Sequence, residues 1–363
     1  MTHTQVWSIV GGQAGSEGKG KAAGYLAYVE KPDVTACAFT ANAGHTAYTV
    51  DGVKVVTHTL PIGAFFSGSK AVLGPGAAIN VQRLIGELDV LHVLNPQCRV
   101  YIDPNALLIS KQQVDWETER MVAISSTCQG VGKALADRVL RRGDAVLARD
   151  AFPSLDGAEV GDTVQILQDA YFAGDKIQIE GCQGIDIDVL YGIQYPYTTS
   201  RSITGAAVAN DSGFPAGLVE RTIAVFRTYP IRVGNVVKDG ERIGWSGPIP
   251  MDSREYSWPE ITELAGSPLP LEEKTTVTQK VRRIFSWSME RYAKSIWMHG
   301  ATDVWVNFAD YLDWNLHSLG GDLSEMLIEY PHVCDWFDDH VRREILFGVG
   351  TGPGLYSAFV RPL

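Results

Sequence analysis

The stretch Gly11 to Lys21, reading GGQAGSEGKGK, lies between a short apolar run and a helix-like segment, and it constrains the fold more than any other part of the chain. Val6, Trp7, Ile9 and Val10 suit a buried strand, while Ala22, Ala23, Tyr25, Leu26 and Val29 recur on one helical face. Strand, glycine loop and helix together make a phosphate cradle. Glycines let backbone N–H groups close around phosphoryl oxygens, the helix N-terminus adds a positive dipole end, and lysines add charge. Gly15 to Lys21 fits G-x-x-x-x-G-K, yet Ala22 stands where the usual pattern places a Ser or Thr on Mg²⁺. A metal bound here needs another ligand, with Ser16 and Glu17 the candidates inside the loop, so the stretch reads as a variant phosphate site.

The 363 residues, 45% hydrophobic and 20% charged, suffice for one large domain or two. No linker divides them. A single domain over 1–363, with an irregular excursion at about 234–271, is the expectation. A formal charge of -11 argues against a nucleic-acid or anionic-membrane surface, so any nucleotide handled is a small molecule. The five cysteines are odd in number and form no C-x-x-C pair, which fits reduced thiols in a cytosol. Nothing at the start reads as a signal peptide, and no apolar run reaches the length of a membrane span.

Strand and helix patterns alternate along the chain. Val34 to Thr40 reads as a strand delivering Asn42, Ala43, Gly44, His45 and Thr46, and polar groups at a strand end suit a ligand site. Tyr48 to His58 alternates around Asp51-Gly52 as a hairpin, with LPIGAF continuing it. A strand at Lys70 to Gly74 precedes a helix from Ile79 to Leu91. Ser125 to Gly132 is a second small-residue loop feeding a helix with Arg138, Arg141 and Arg142. The strand Lys176 to Ile179 runs into Glu180-Gly181-Cys182-Gln183-Gly184, and Tyr195 to Ser202 is a hydroxyl-rich loop. Further expectations are a strand over Ile223 to Val233, a threonine and cation cluster at Lys274 to Arg283, and a helix at Ile284 to Lys294. A strand at Asp303 to Phe308 and a glycine turn within Leu346 to Pro353 complete the pattern. This grammar predicts an α/β fold with a mostly parallel central sheet flanked by helices and a P-loop-like turn after the first strand.

GGQAGSEGKGK, NAGHT, STCQGVG with RRG downstream, EGCQG, YPYTTS, RVG, TTVTQKVRR and GTGP occur in the order, and at roughly the separations, found in adenylosuccinate synthetases. The resemblance spans essentially the whole chain. It implies a ligation in two steps: a γ-phosphoryl group moves to the 6-oxygen of a purine nucleotide, and the amine of aspartate then displaces phosphate. It further implies a homodimer, Mg²⁺ as cofactor, and a cytoplasmic setting.

By the same resemblance, Ser16, His45 and Gln183 would be the catalytic residues, His45 as the acid and Gln183 at the 6-oxygen. Ser16, Glu17, Gly18, Lys19, Gly20 and Lys21 would hold the donor phosphates with Gly44, His45, Thr46 and Arg282. Phe308, Asp310, Gly350, Thr351 and Gly352 would surround the donor base. Ser16, Lys19, Asn42, Ala43, His45, Ser126, Thr127, Gln183, Thr198 and Thr199 would hold the acceptor monophosphate, joined by Arg141 of a partner subunit. Aspartate would meet Thr276, Val277, Thr278, Lys280 and Arg282, and Mg²⁺ would meet Ser16 and the Gly44 carbonyl.

Two departures from the family pattern matter more. Where the cellular family has the aspartate of W-G-D-E-G-K-G-K, this chain has Ser16, a hydroxyl too weak as a base to replace a carboxylate unaided. The change leaves room beside the purine ring for a 2-amino group. Where GTP-dependent members have T-K-L-D, this chain has Asn307, Phe308, Ala309 and Asp310, which permits adenine stacked on Phe308. Both changes resemble the viral branch acting on dGMP, so the expected reaction is dGMP plus aspartate plus ATP or dATP, supplying 2-aminoadenine for DNA. The alternatives are an ordinary synthetase using IMP and GTP, or a non-catalytic nucleotide-binding relative.

Overall fold

The strand Val6–Gly11 is buried at every residue and lies inside an eleven-stranded sheet, the computed structural model describing residues 5–275 and 280–361. Across the sheet the order is Gly321–Asp322, Ala358–Val360, Leu346–Gly350, Asp303–Asn307, Arg221–Arg227, Val6–Gly11, Ile177–Glu180, Val34–Cys37, Lys70–Leu73, Arg99–Ile102 and Ala158–Val160. Every neighbouring pair is parallel except Leu346–Gly350 with Ala358–Val360. Trp7 and Ile9 pack into one apolar cluster and Val6 and Val10 into another, so the sheet is covered on both faces. A parallel sheet needs that double cover.

Several sequence expectations change for local reasons. LPIGAF does not extend the hairpin: Ile62–Phe65 is a 3₁₀ turn whose Ile62 and Gly63 N–H groups donate to the Glu180 carboxylate at 3.0 and 2.7 Å. The strand expected over Ile223 to Val233 breaks after Arg227. Pro230 has no N–H for a ladder, and Ile231–Arg232 pairs instead with Arg283–Phe285 in a separate three-stranded sheet. Ile284 and Phe285 are therefore strand residues, and the following helix spans Met289–His299, capped by Ser288. The strand from Val34 ends at Cys37, and the helix expected from Ile79 spans Val81–Leu94 behind an Asn80 cap.

The 234–271 stretch is more regular than its composition suggests. It holds a hairpin, Val236–Lys238 with Glu241–Gly244, and a helix, Trp258–Ala265, opened by a Ser257/Glu260 capping box. Trp258 and Ile261 pack with Ile231, Ile284 and Tyr311, forming a small core of their own.

His299 ends its helix beneath the first strand, its Nε2 donating to the Gly11 carbonyl at 3.1 Å while its buried Nδ1 has no hydrogen-bond partner among the described residues. Burial pushes its pKa from 6.5 down to about 4, because a second proton would have nowhere to bond. The folded value lies below the unfolded one, so this contribution is complete above pH 6.5 and is lost as pH falls toward 4. We expect stability to drop by about 3 kcal/mol over that window from this group alone. Denaturant titrations of the wild type and His299→Asn at pH 7 and pH 4.5 check it: the variant should show the smaller acid loss, and equal losses would count against it.

Candidate active site

The C-terminal ends of the parallel strands meet along one edge, where ligands bind in open α/β sheets. Gly11 opens the glycine loop, Cys37 leads to Asn42 and His45, Glu180 to Gln183, Arg227 to Arg232, Asn307 to Phe308 and Asp310, and Gly350 to Gly352.

Two glycines in the loop have no substitute. Gly18 sits at φ 81°, and a Cβ on Gly11 would lie 2.1 Å from the Gln183 carbonyl oxygen. No side chain caps the helix Lys19–Glu30, so its N-terminus stays open to an anion. Glu17 holds the loop's shape: its carboxylate accepts from the N–H groups of Gln13 (3.1 Å) and Gly15 (2.6 Å) and from Lys19 Nζ (2.7 Å). Lys19, nearly sealed, faces inward onto this pair. Lys21 turns the other way, its ammonium donating to the carbonyls of Gly352 and Ser357. Burial pushes the Lys21 pKa down to about 7, with nearby Asp310 pulling it back up. Asn307 braces the loop, donating to the carbonyls of Glu17 (2.7 Å) and Gly18 (3.0 Å).

Two adjoining cavities share Asn42, Thr127, Gln183, Ile187 and Val233, forming one groove. One end holds Ser16, Gly44, His45, Thr275 and Arg282; the other holds Ser126, Thr198, Thr199 and Arg232. Ser16 Oγ accepts from Arg282 Nη1 at 2.7 Å, which fixes the hydroxyl at the first end. Gln183 adopts φ 63°, a left-handed backbone that non-glycine residues keep mainly where surrounding structure enforces it. The helix Val131–Val139 offers no free N-terminus to this groove. Glu117 already accepts from Gly130, Gly132 and Lys133 N–H groups at 2.7, 2.6 and 3.2 Å, so hydroxyls and Arg232 supply the second end.

His45 is 5% exposed, packs edge-on against Phe39, and has Nδ1 3.7 Å from Glu180 Oε2, too long for a hydrogen bond. Burial lowers its pKa, with Glu180 opposing, so the imidazole is neutral at neutral pH. Beside it stands His58, which sequence reasoning missed. Its Nδ1 lies 2.6 Å from the Ala43 carbonyl oxygen, pinning the turn before Gly44. The hairpin signal held the clue, since pairing His45 with Thr57 sets His58 opposite Gly44.

A separate cavity lies on the far side of the loop, lined by Gly18, Lys21, Thr46, Phe308, Asp310, Tyr311, Trp314, His317 and Gly352. Phe308, at φ 63°, carries the Arg227 guanidinium 3.8 Å from its ring centroid. Arg227 was not singled out in the sequence, although it ties three parts together. It donates to the Ser16 carbonyl at 3.2 Å, pairs with Glu273 and stacks on Phe308. Asp310 Oδ2 accepts from His317 Nδ1 at 2.7 Å, and the His317 ring stacks on Trp314 with centroids 4.0 Å apart.

The structure thus gathers Ser16, Asn42, Ala43, Gly44, His45, Thr127, Gln183 and Arg282 around one cavity, and Gly18, Lys21, Thr46, Phe308, Asp310 and Gly352 around the other. Gly350 and Thr351 border neither; the buried Thr351 hydroxyl donates to Leu319 instead. Arg141 is exposed just beyond its helix and borders neither cavity of its own chain, whereas Arg138 and Arg142 bond within the chain to Pro75 and to Asp137 and Asp144. Lys280 is placed by its own N–H donating to Thr275 Oγ1 at 3.0 Å. Thr276, Val277 and Thr278 lie outside the described residues.

The sequence model of the family described as adenylosuccinate synthetase matches residues 8–152 and 151–315. The chain belongs to the adenylosuccinate synthetase family. Within it, the N6-succino-2-amino-2'-deoxyadenylate synthase of Acinetobacter phage SH-Ab 15497 is 34% identical, over 90% of this chain and 94% of that protein. The adenylosuccinate synthetase of Methanococcus aeolicus is 32% identical over 86% of each. Among solved structures, the cyanophage S-2L succinoaminodeoxyadenylate synthetase, bound to dGMP and to dATP as an energy donor, superposes with a TM-score of 0.81. It is 32% identical, over 99% of this chain and 96% of that one.

Proposed function

We propose that the chain joins L-aspartate to C6 of dGMP with cleavage of ATP or dATP, giving N6-succino-2-amino-2'-deoxyadenylate. The observation that carries this reading is the hydroxyl at position 16, fixed by Arg282 in the cavity that also holds His45 and Gln183. Relatives named for this activity, one of them solved with dGMP and dATP, support it.

In the first step the guanine 6-oxygen attacks the γ-phosphorus, the bond to the β-phosphate oxygen breaks to release ADP or dADP, and the N1 proton passes to solvent water. In the second, the aspartate amine bonds to C6, phosphate departs with the 6-oxygen, and the new amine loses a proton. Gln183 orients the 6-oxygen, and the His45 imidazole donates a hydrogen bond to the transferring phosphoryl oxygens. The uncharged Ser16 leaves one lone pair to accept from the 2-amino group, the other being used by Arg282. Thr127 and Thr199 bind the acceptor phosphate, joined by Arg141 of a second subunit. Lys280 and Arg282 take the aspartate carboxylates.

The residues also fit Mg²⁺. Gly44 is exposed at the edge of the reacting cavity, and no cluster of three His, Cys, Asp or Glu side chains occurs among the described residues. Mg²⁺ would be held by phosphates and the Gly44 carbonyl, because Arg282 and the 2-amino group take both lone pairs of the Ser16 hydroxyl that the family resemblance offered as a second ligand. When bound it neutralises charge on the transferring phosphoryl group. No helix among the described residues is long and apolar enough to cross a membrane. The cytoplasmic setting follows from the proposed substrates alone.

The assay is phosphate release from ATP by the whole chain with Mg²⁺, dGMP and aspartate. Phosphate should appear in step with the succinyl adduct and stop when either dGMP or aspartate is left out. Release that ignores aspartate would contradict the reading.

A further inference from the structure

Asp310 borders the cavity beyond the loop and is 3% exposed. Its two oxygens differ. Oδ2 accepts from His317 Nδ1 at 2.7 Å, and Oδ1 is buried without a hydrogen-bond partner among the described residues. A buried carboxylate oxygen with nothing to accept from is costly unless a ligand N–H completes it. His317 is itself held in place, stacked at 9° to the Trp314 ring, so its N–H is locked onto the carboxylate.

We propose that His317 sets the donor base by occupying one oxygen of Asp310, so that the carboxylate accepts one purine N–H and not two. The proposal rests on the ligase reading above and extends it to the choice of donor. A carboxylate reads guanine with both oxygens side by side, one taking N1–H and the other the 2-amino N–H. Oδ2 keeps a second lone pair, but the His317 ring, fixed against Trp314, stands on that oxygen within the same cavity, so a guanine N–H would have to share Oδ2 with a donor already in place. Adenine has a single exocyclic amine and no N1–H. Oδ1 takes one N–H of its 6-amino group and the second can go to water, with no demand on Oδ2, while Phe308 lines the same cavity. His317 is a positioning residue here: it acts through Asp310, and Asp310 touches the base.

The test compares kcat/KM for ATP, GTP and ITP in the whole chain, with dGMP, aspartate and Mg²⁺ saturating, in wild type, His317→Ala and His317→Gln. Wild type should favour ATP over GTP by about 10²-fold, and GTP should do no better than ITP, because the 2-amino group is not read. His317→Ala frees Oδ2 and should narrow the ATP-to-GTP ratio by about tenfold, through a gain with GTP as well as a loss with ATP. His317→Gln keeps an N–H for Oδ2 and should retain the wild-type ratio. A wild type that prefers GTP, or uses GTP far better than ITP, overturns the proposal without any variant. So does a His317→Ala variant that loses equally with both donors. Either result leaves the dGMP reading standing, whereas a wild type inert on dGMP with every donor removes that reading and this one together.

Discussion

Replacing His45 by Asn is expected to lower kcat about 10³-fold while leaving dGMP affinity within about threefold. The histidine is sealed from solvent against Phe39, and its pKa is lowered by burial, so at neutral pH it presents a neutral ring with one N–H. Glu180 lies 3.7 Å from Nδ1, close enough to favour a positive ring as negative charge gathers on the transferring phosphoryl group. An asparagine amide can donate a hydrogen bond but cannot take on that charge. The loss therefore falls on the transition state and spares the ground state. Single-turnover kinetics with equilibrium dGMP binding separates the two, and a variant within tenfold of wild type would remove His45 from the chemistry.

Ser16→Asp is expected to invert acceptor choice. A carboxylate at position 16 would pair with Arg282 in place of the present 2.7 Å hydroxyl contact and would supply the base that a serine cannot. It would also take up the space and the acceptor position that the 2-amino group uses in the wild type. Purines without that amine should then turn over, and dGMP turnover should fall by about 10²-fold. Retained dGMP activity with no gain elsewhere would mean that residue 16 does not face the base.

The glycine loop, the strand ends at Asn42–His45 and Gln183, and the parallel sheet were legible because each is carried by contiguous residues whose pattern implies its geometry. What was missed depends on contacts distant in sequence. Arg227 reads as an interior residue of the strand expected over Ile223 to Val233, and only the break at Pro230 together with the approach of Glu273 and Phe308 reveals its position. His58 was within reach of hairpin arithmetic. The Glu117 carboxylate, which occupies the anion position of the second glycine loop, gives no local sign, since it lies 13 residues before Gly130 on another helix. The 234–271 stretch looked irregular from its glycines and prolines, yet Ser257-x-x-Glu260 was a readable helix start that composition concealed.

The most direct measurement is the ratio of kcat/KM for dGMP to that for dIMP in the wild-type chain, with ATP, Mg²⁺ and aspartate held saturating. These two acceptors share sugar and phosphate and differ only by the 2-amino group. If Ser16 makes the pocket for that amine, dGMP should be favoured by about 10²-fold or more. Equal turnover, or a preference for dIMP, would contradict the account.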